Sequence, residues 1–319
     1  MKSNDLILTI GIPTFNAVVY LQECIEKILV HSNLLDKIEI LVCDNHSTDD
    51  TEKIMNGFVS KYPNTIRYLR HNTNLGMDQN FWSCILNAKG EFVHLLGDDD
   101  FYTSSGLERL LALLDVSPDL GVVCLSNNYL NTLNGKIIEN KEEFLEDILC
   151  HSGKEFFLTE NLKTLTLSNI VVKKSKCLTI VDSEKLFGTN WLHLAILTEI
   201  LTPDSLSYIF NFKNPIVTVR IGNQRWLEND GAISYYYYAL SVYAKLNSKY
   251  ETKVFNHIKT LFWQLLLSGG RINYRNILKN IQYSLMFFKF YYDQPLRYLK
   301  FSAKLILSKH KPFFEGWEK

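Results

Sequence analysis

No Cys-x-x-Cys pair occurs in this 319-residue chain, although it holds six cysteines (Cys24, Cys43, Cys84, Cys124, Cys150 and Cys177). They are widely spread, and several fall in apolar periodic segments, where a free thiol behaves as a small buried hydrophobe. That pattern argues against structural zinc and against a disulfide framework. No uninterrupted apolar run approaches the roughly 20 residues that span a bilayer. Residues 1–5 lead straight into a strand, without the apolar region and cleavage site of a signal peptide. The expectation is a cytoplasmic protein, free or peripheral at the cytoplasmic face of the membrane. Internal repeats are lacking, and the run Tyr235–Tyr238 is the nearest approach to low complexity.

Net charge is also lacking, since 34 basic residues balance 34 acidic ones. The balance hides an asymmetry. From Lys253 onward twelve Lys or Arg face three acids (Asp293, Glu315, Glu318), so a basic tail follows an acidic body. Such a tail suits an anionic partner. No recognised nucleic-acid motif accompanies the charge, which argues against nucleic acid.

What the chain does have is an alternation of strand and helix over its first 125 residues. Leu6 to Ile12, Ile38 to Cys43, Ile66 to Leu69, Phe92 to Leu96 and Gly121 to Leu125 read as buried strands. Between them, Leu21, Cys24, Ile25, Ile28 and Leu29 recur at helical spacing, and helices are predicted over 79–88 and 107–114. This is the pattern of an α/β fold, a mostly parallel sheet with helices on both faces. Beyond residue 126 the regularity weakens. Asn134-Gly135 predicts a hairpin turn, Leu165 to Lys173 another strand, and 182–201 a partly helical stretch. From Ile233 the pattern is helical and rich in aromatics. Two domains are expected, a catalytic one over 1–230 and a basic, aromatic-rich helical one over 231–319.

Four loops at the carboxyl ends of the early strands carry the candidate chemistry. They are Pro13-Thr14-Phe15-Asn16, Asp44-Asn45-His46-Ser47-Thr48-Asp49, Asn72-Thr73-Asn74-Leu75-Gly76 and Asp98-Asp99-Asp100. In a doubly wound sheet such loops converge on one edge, where a single ligand can touch them all. Asp44 can accept from the N–H of a pyrimidine, and Asn74 and Gly76 suit a tight turn. Three adjacent carboxylates repel one another unless a cation is present. Hard Mg²⁺ or Mn²⁺ with an anionic diphosphate would relieve that cost. The plain alternative is a solvated acidic turn capping the helix that starts near Ser104.

Taken in order, these motifs resemble those of a family 2 glycosyltransferase with the GT-A, Rossmann-like fold. The family's P-T-Y/F-N is matched by Pro13-Thr14-Phe15-Asn16, and its V-D-D/N-x-S-x-D-x-T by Val42 followed by Cys43 to Thr51. Asn74-Leu75-Gly76 fits its N-x-G loop and Asp98-Asp99-Asp100 its D-x-D signature. The L-x-D-D-D form is similar to that of O-antigen and capsule glycosyltransferases of the abequosyltransferase type. The resemblance covers residues 6–125 well and thins out beyond.

That resemblance implies a nucleotide-sugar site, with a nucleoside diphosphate sugar (UDP first) as donor and Mn²⁺ or Mg²⁺ as cofactor. Asp44 would bind the base, and Pro13, Thr14, Asn16, Asn74 and Gly76 would line the nucleotide. Asp98 and Asp99 would face the donor, with Asp98 and Asp100 holding the metal. The acceptor implied is a glycan, lipid-linked, in surface polysaccharide assembly. Gly97 stands where the family often has its first acid, so which two aspartates play the D-x-D roles stays open.

One departure concerns the catalytic base. The inverting family usually supplies it from an acidic pair in the second half of the domain, and Lys185 to His193 contains none. The candidates nearby are His193, Glu184, Asp182 and Glu199. His193 has a suitable ordinary pKa, against which stands packing in a partly apolar helix. Arg225 suits a diphosphate clamp, and Trp226 could cover the sugar or simply pack. The tail over 255–311 mixes Lys and Arg with aromatics, notably Phe287 to Tyr292 and Arg297 to Phe301, which suits an anionic membrane surface. A helical cap packed on the protein is the alternative. Two rival functions stay open: a catalytically weak sugar-nucleotide or glycan-binding assembly partner, and a nucleotidyltransferase.

Overall fold

The computed structural model describes residues 6–139, 146–211, 213–221, 231–250, 252–267 and 290. It divides into two compact units, Met1–Ile221 and Gly222–Lys319. The boundary expected at residue 230 lies outside the described residues.

The first unit opens with β1 (Leu8–Thr14), α1 (Val18–Leu29), β2 (Ile38–Asp44), α2 (Thr51–Lys61), β3 (Ile66–Arg70), α3 (Met77–Asn87) and β4 (Phe92–Leu95). β1 and β2 are buried at every position, as unbroken apolar runs in a parallel sheet require. β1 lies between β2 and β4, and β2 pairs with β3, all in parallel. α1 turns Leu21, Cys24, Ile25 and Ile28 inward, the residues whose spacing predicts it. α3 crosses β1 so closely that a Cβ at Gly11 would lie 2.9 Å from that of Cys84, which only glycine avoids.

Next come β5 (Phe101–Tyr102), α4 (Gly106–Val116), β6 (Val122–Cys124), β7 (Asn127–Asn131), β8 (Ile137–Ile138), β9 (Ile148–Cys150), α5 (Gly153–Thr159), β10 (Ile170–Lys173), α6 (Lys174–Cys177), α7 (Leu192–Ile200), β11 (Ser207–Ile209) and β12 (Val217–Ile221). The main sheet has the order β3-β2-β1-β4-β10-β6-β11-β9. β10 runs antiparallel to both neighbours, and β11 pairs parallel with β6. A smaller sheet, β5-β12-β7-β8, brings β12 beside the segment that follows the acidic loop. The Asn134-Gly135 turn joins the antiparallel β7 and β8, with Gly135 at φ +69°.

The strand expected over 165–173 is only its last part, β10. Two 3₁₀ turns, Lys163–Leu165 and Leu167–Asn169, take the earlier residues. Side-chain bonds explain the bend, for the Asn169 amide donates to Asn127 Oδ1 (2.9 Å) and to the Lys163 carbonyl (3.1 Å).

The second unit contains α8 (Gly231–Tyr243), α9 (Leu246–Lys249) and α10 (Thr252–Leu267). Aromatic edges pack within it, Tyr243 on Phe262 at 6.0 Å between ring centres. Among the described residues no helix is long and apolar enough to cross a membrane.

Candidate functional site

The first two loops interlock at the carboxyl ends of β1 and β2. Asn16, in the left-handed region at φ +52°, accepts from the Thr48 N–H at 2.7 Å, and its own N–H donates to Ser47 Oγ at 2.9 Å. Asp49 accepts from Thr51 and from the Val18 N–H. Burial alone would raise its pKa, but these bonds outweigh that and leave it lowered.

Asp44 ends β2 and is fully buried. Its carboxylate accepts from the Ser47 N–H (2.8 Å) and the Tyr68 hydroxyl (2.5 Å), and Arg70 Nε lies 3.6 Å away. Desolvation and the hydrogen bond to Asp44 push the Tyr68 phenol up, which keeps it a donor. Asn45 reaches the third loop. Its amide donates to Asn74 Oδ1 (2.9 Å) and to the Gly76 carbonyl (3.2 Å), and its Oδ1 accepts from the Leu75 N–H (2.8 Å). Gly76, at φ +85°, provides the sharp entry to α3 that a side chain would resist.

The acidic loop follows β4. Thr14 Oγ1 donates to Asp98 Oδ2 at 2.7 Å, tying the first loop to the fourth. Asp98 and Asp99 are half-buried, whereas Asp100 is buried and turned inward. Ser168 Oγ donates to Asp100 Oδ2 (2.5 Å) and accepts from the Gly97 N–H (2.8 Å), while the Arg220 N–H donates to Asp100 Oδ1 (2.8 Å). Burial first, and the neighbouring Asp99 charge second, push the Asp100 carboxyl well above the usual carboxylate range.

Arg220 also straps the loop from outside. Its Nε donates to the Asp99 carbonyl at 2.7 Å, and its terminal nitrogen pairs with Glu23 at 2.6 Å. The guanidinium lies over the Tyr20 and Phe101 rings, 5.4 and 5.5 Å from their centres. Beneath the loop, His94 Nε2 lies 2.9 Å from the Ser168 carbonyl and Nδ1 lies 2.5 Å from the Tyr102 hydroxyl. A carbonyl only accepts, so Nε2 carries the proton. Burial pushes this imidazole down to about 4.

His193 lies in α7, buried between Phe81 (6.2 Å) and Trp191 (5.3 Å). Neither ring nitrogen has a hydrogen-bond partner of ordinary geometry. Burial pushes its pKa down to about 3, weakly opposed by the Leu165 backbone. Glu184 is exposed on the 3₁₀ turn Ser183–Leu186, where Asp182 pairs with Lys185. Glu199 is exposed on α7. Arg225, Trp226 and most of the basic tail lie outside the described residues.

The match to known families decides what this arrangement belongs to. The model of "Glycosyl transferase family 2" fits residues 9–178, more than half of the chain. The chain belongs to that family. Among curated proteins it is similar to abequosyltransferase RfbV of Salmonella typhimurium, 26% identical over 280 residues that cover 82% of this chain and 80% of the relative. Among solved structures it resembles S. aureus TarS in complex with UDP-GlcNAc, with a TM-score of 0.63, 12% identity, and 94% and 90% of the two chains covered. Mannosyltransferase PcManGT from Pyrobaculum calidifontis, in complex with GDP-Man and Mn²⁺, gives 0.53 at 14% identity, covering 95% and 88%. The fold is the GT-A fold expected from the sequence motifs.

In this glycosyltransferase the structure joins Thr14, Asn16, Asn74, Gly76 and Asp98 through one hydrogen-bonded set of loops. His193 and Glu184 make no hydrogen bond to those loops among the described residues. Ser168, Arg220 and Tyr68 carry much of this geometry and are absent from the motifs read in the sequence. Of these, Arg220 lies five positions before Arg225, a residue that the sequence marks.

Proposed function

We propose that this family 2 glycosyltransferase moves a single sugar from a nucleoside diphosphate sugar, UDP first among the candidates, to a lipid-linked glycan acceptor in surface polysaccharide assembly. The observation that carries this function is the linkage of four strand-end loops around Asp98, Asp99 and Asp100. Abequosyl transfer in RfbV's name and the UDP-GlcNAc bound in TarS support the class of donor.

Asp44 is the base-reading residue in this scheme. A carboxylate offers about four acceptor sites, and Ser47 and Tyr68 take only part of them, leaving capacity for a pyrimidine N–H. Asn16, Asn74 and Gly76 shape the nucleotide loops around it, with the Pro13 and Thr14 backbone.

The acidic loop fits a hard divalent cation in its donor chemistry. Among the described residues no cluster of three or more ligating side chains stands ready. Mg²⁺ usually takes one or two carboxylates and completes its shell with water and substrate phosphates. Asp98 and Asp99, half-buried, suit that role directly. Asp100 would join only by exchanging a bond to Ser168 or Arg220, and a cation beside the three adjacent carboxylates would offset their mutual repulsion. A bound Mn²⁺, as in PcManGT, or Mg²⁺ supplies electrostatic stabilisation of the departing diphosphate.

The chain's own residues do the remaining work. Thr14 orients Asp98, and Arg220 holds the acidic loop while leaving its charge toward the donor. Arg225 clamps the diphosphate, as guanidinium suits phosphate oxygens. Glu184 is favoured over His193 as the base that takes the acceptor hydroxyl's proton, with inversion at the anomeric carbon. Its carboxylate meets solvent, whereas an imidazole near pKa 3 is a weak base at neutral pH. The catalytic unit is assigned to 1–230. The basic residues of 255–311 would hold the enzyme at the anionic cytoplasmic face of the membrane.

The test is binding and hydrolysis across UDP-, CDP-, GDP- and dTDP-sugars, each with Mn²⁺ and with EDTA. Slow, metal-dependent cleavage of one donor is the expected result. The missing acidic pair in 185–193 favours a second reading, a sugar-nucleotide-binding assembly partner. Metal-dependent binding that never leads to transfer, even with glycan acceptors added, would select that one. No binding of any donor would overturn both.

A further inference from the structure

Asp78, in the first turn of α3, is buried and accepts four backbone N–H groups from a segment more than a hundred residues away. Its Oδ2 accepts from Gly188 (2.8 Å), Thr189 (3.0 Å) and Asn190 (2.9 Å), and its Oδ1 from Leu192 (3.0 Å). Charge-assisted bonds of this kind are about twice as strong as neutral ones. Three of them converge on Oδ2 and one reaches Oδ1, so the carboxylate is committed to the turn.

The clasped segment has the backbone of an anion nest. Gly188 lies at φ +93° and Asn190 at +59°, which turns successive N–H groups toward one point. The arrangement leaves Gly188 and Asn190 exposed, with Thr189 half-buried between them. Trp191 is buried, and its N–H donates to Thr189 Oγ1 at 3.2 Å. The carboxylate at the centre stands two residues after Gly76, whose carbonyl accepts from Asn45. One short piece of chain thus joins the nucleotide loops to the turn at 188–192.

The geometry points to Asp78 as a positioning residue for the transfer step. It fixes the 188–192 turn, with Thr189 and Asn190 at its rim, against the loops that hold the donor. This role rests on the glycosyltransferase function proposed above. It acts on the reacting end of the site rather than on nucleotide affinity, because among the described residues its carboxylate bonds go to the 188–192 turn and not to Asp44.

Amide hydrogen exchange on the full chain tests the clasp without any substrate. In the unmodified protein the amides of Gly188, Thr189, Asn190 and Leu192 should exchange at least about a hundredfold more slowly than unprotected loop amides. Open-loop rates there would overturn the inference, whether or not any variant folds. In Asp78→Asn, exchange at these amides should quicken at least about tenfold while the central strands keep their protection. With UDP-GlcNAc and Mn²⁺ as probe, UDP affinity should stay within about twofold while the rate of sugar release falls at least about tenfold. Faster exchange throughout the unit, or parallel loss of UDP affinity and rate, would reduce Asp78 to a fold-stabilising residue and overturn its positioning role. If the unmodified chain neither binds nor cleaves any sugar nucleotide, the proposed function falls, and the exchange data still decide whether Asp78 holds the turn.

Discussion

Ser168 Oγ donates to Asp100 Oδ2 at 2.5 Å and in the same place accepts the Gly97 N–H at 2.8 Å, so one hydroxyl fixes both ends of the acidic loop. The serine is itself held, because its carbonyl accepts from His94. Ser168→Ala would leave a buried carboxyl with one fewer donor and a half-buried N–H without its acceptor. Losing a donor to the buried carboxyl costs about 1–3 kcal/mol. Urea unfolding should register a fall in that range, and Mn²⁺-dependent UDP binding should weaken with it. A variant of unchanged stability would mean that water or a rotated Asp100 replaces the serine.

The Tyr68–Asp44 pair offers a sharper test of base recognition. Tyr68→Phe removes a donor from a fully buried carboxylate and keeps the ring that packs beside it. Asp44 retains the Ser47 N–H, so the fold should survive at a cost of about 1–3 kcal/mol. UDP affinity should drop about tenfold, corresponding to about 1.4 kcal/mol of lost orientation. Calorimetric titration with UDP and Mn²⁺ reads both. Full affinity in this variant would separate Asp44 from the base-reading role.

His193 gives a prediction in pH. Its imidazole, near 6.5 when solvated, is pushed down to about 3 by burial. Below about pH 6.5 the unfolded chain takes up a proton that the folded chain refuses, so stability falls as pH falls from 6.5 toward 3. His193→Leu removes that proton linkage and two unpartnered ring nitrogens together. At pH 7 the variant should match the parent within about 1 kcal/mol. At pH 4 it should be the more stable by about 3 kcal/mol, the worth of about 2.5 pH units. Donor cleavage should persist, whereas its abolition in a folded variant would restore His193 as the base.

Much of the first unit is legible in the sequence because its signals are local. The apolar runs at Ile38 to Cys43 and Phe92 to Leu96 mark buried parallel strands, and the polar residues after each run mark one sheet edge. Asp98 to Asp100 stand out for the same reason. Ser168 does not, since it lies in a stretch whose apolar residues suggest a continuing strand. The distant partners Asn127 and Asp100, with the Lys163 carbonyl nearby, explain why the chain turns there instead. Asp78 reads locally as an ordinary acid in a helix's first turn, favoured by the helix dipole. Its four donors lie 110 to 114 positions away, and no periodicity encodes a contact at that separation. Arg220 is a similar case, for its position in β12 brings it to Asp99 and Asp100 only through the second sheet.

The charge asymmetry along the chain leads to the last prediction. Basic residues near an anionic lipid surface contribute about 1 kcal/mol each, and that attraction fades beyond a Debye length. Replacing Arg271, Arg275, Lys279, Lys289, Arg297 and Lys300 by Ser should therefore cut binding to phosphatidylserine vesicles by several orders of magnitude. The parent protein should itself come off such vesicles as salt rises from about 0.1 to 1 M, where the Debye length shrinks from about 10 to 3 Å. Neutral phosphatidylcholine vesicles should bind either form weakly. Sedimentation of vesicles with bound protein measures all three. If the six-fold variant binds anionic vesicles as the parent does, aromatic packing rather than charge governs the tail, and membrane attachment through residues 255–311 loses its electrostatic basis.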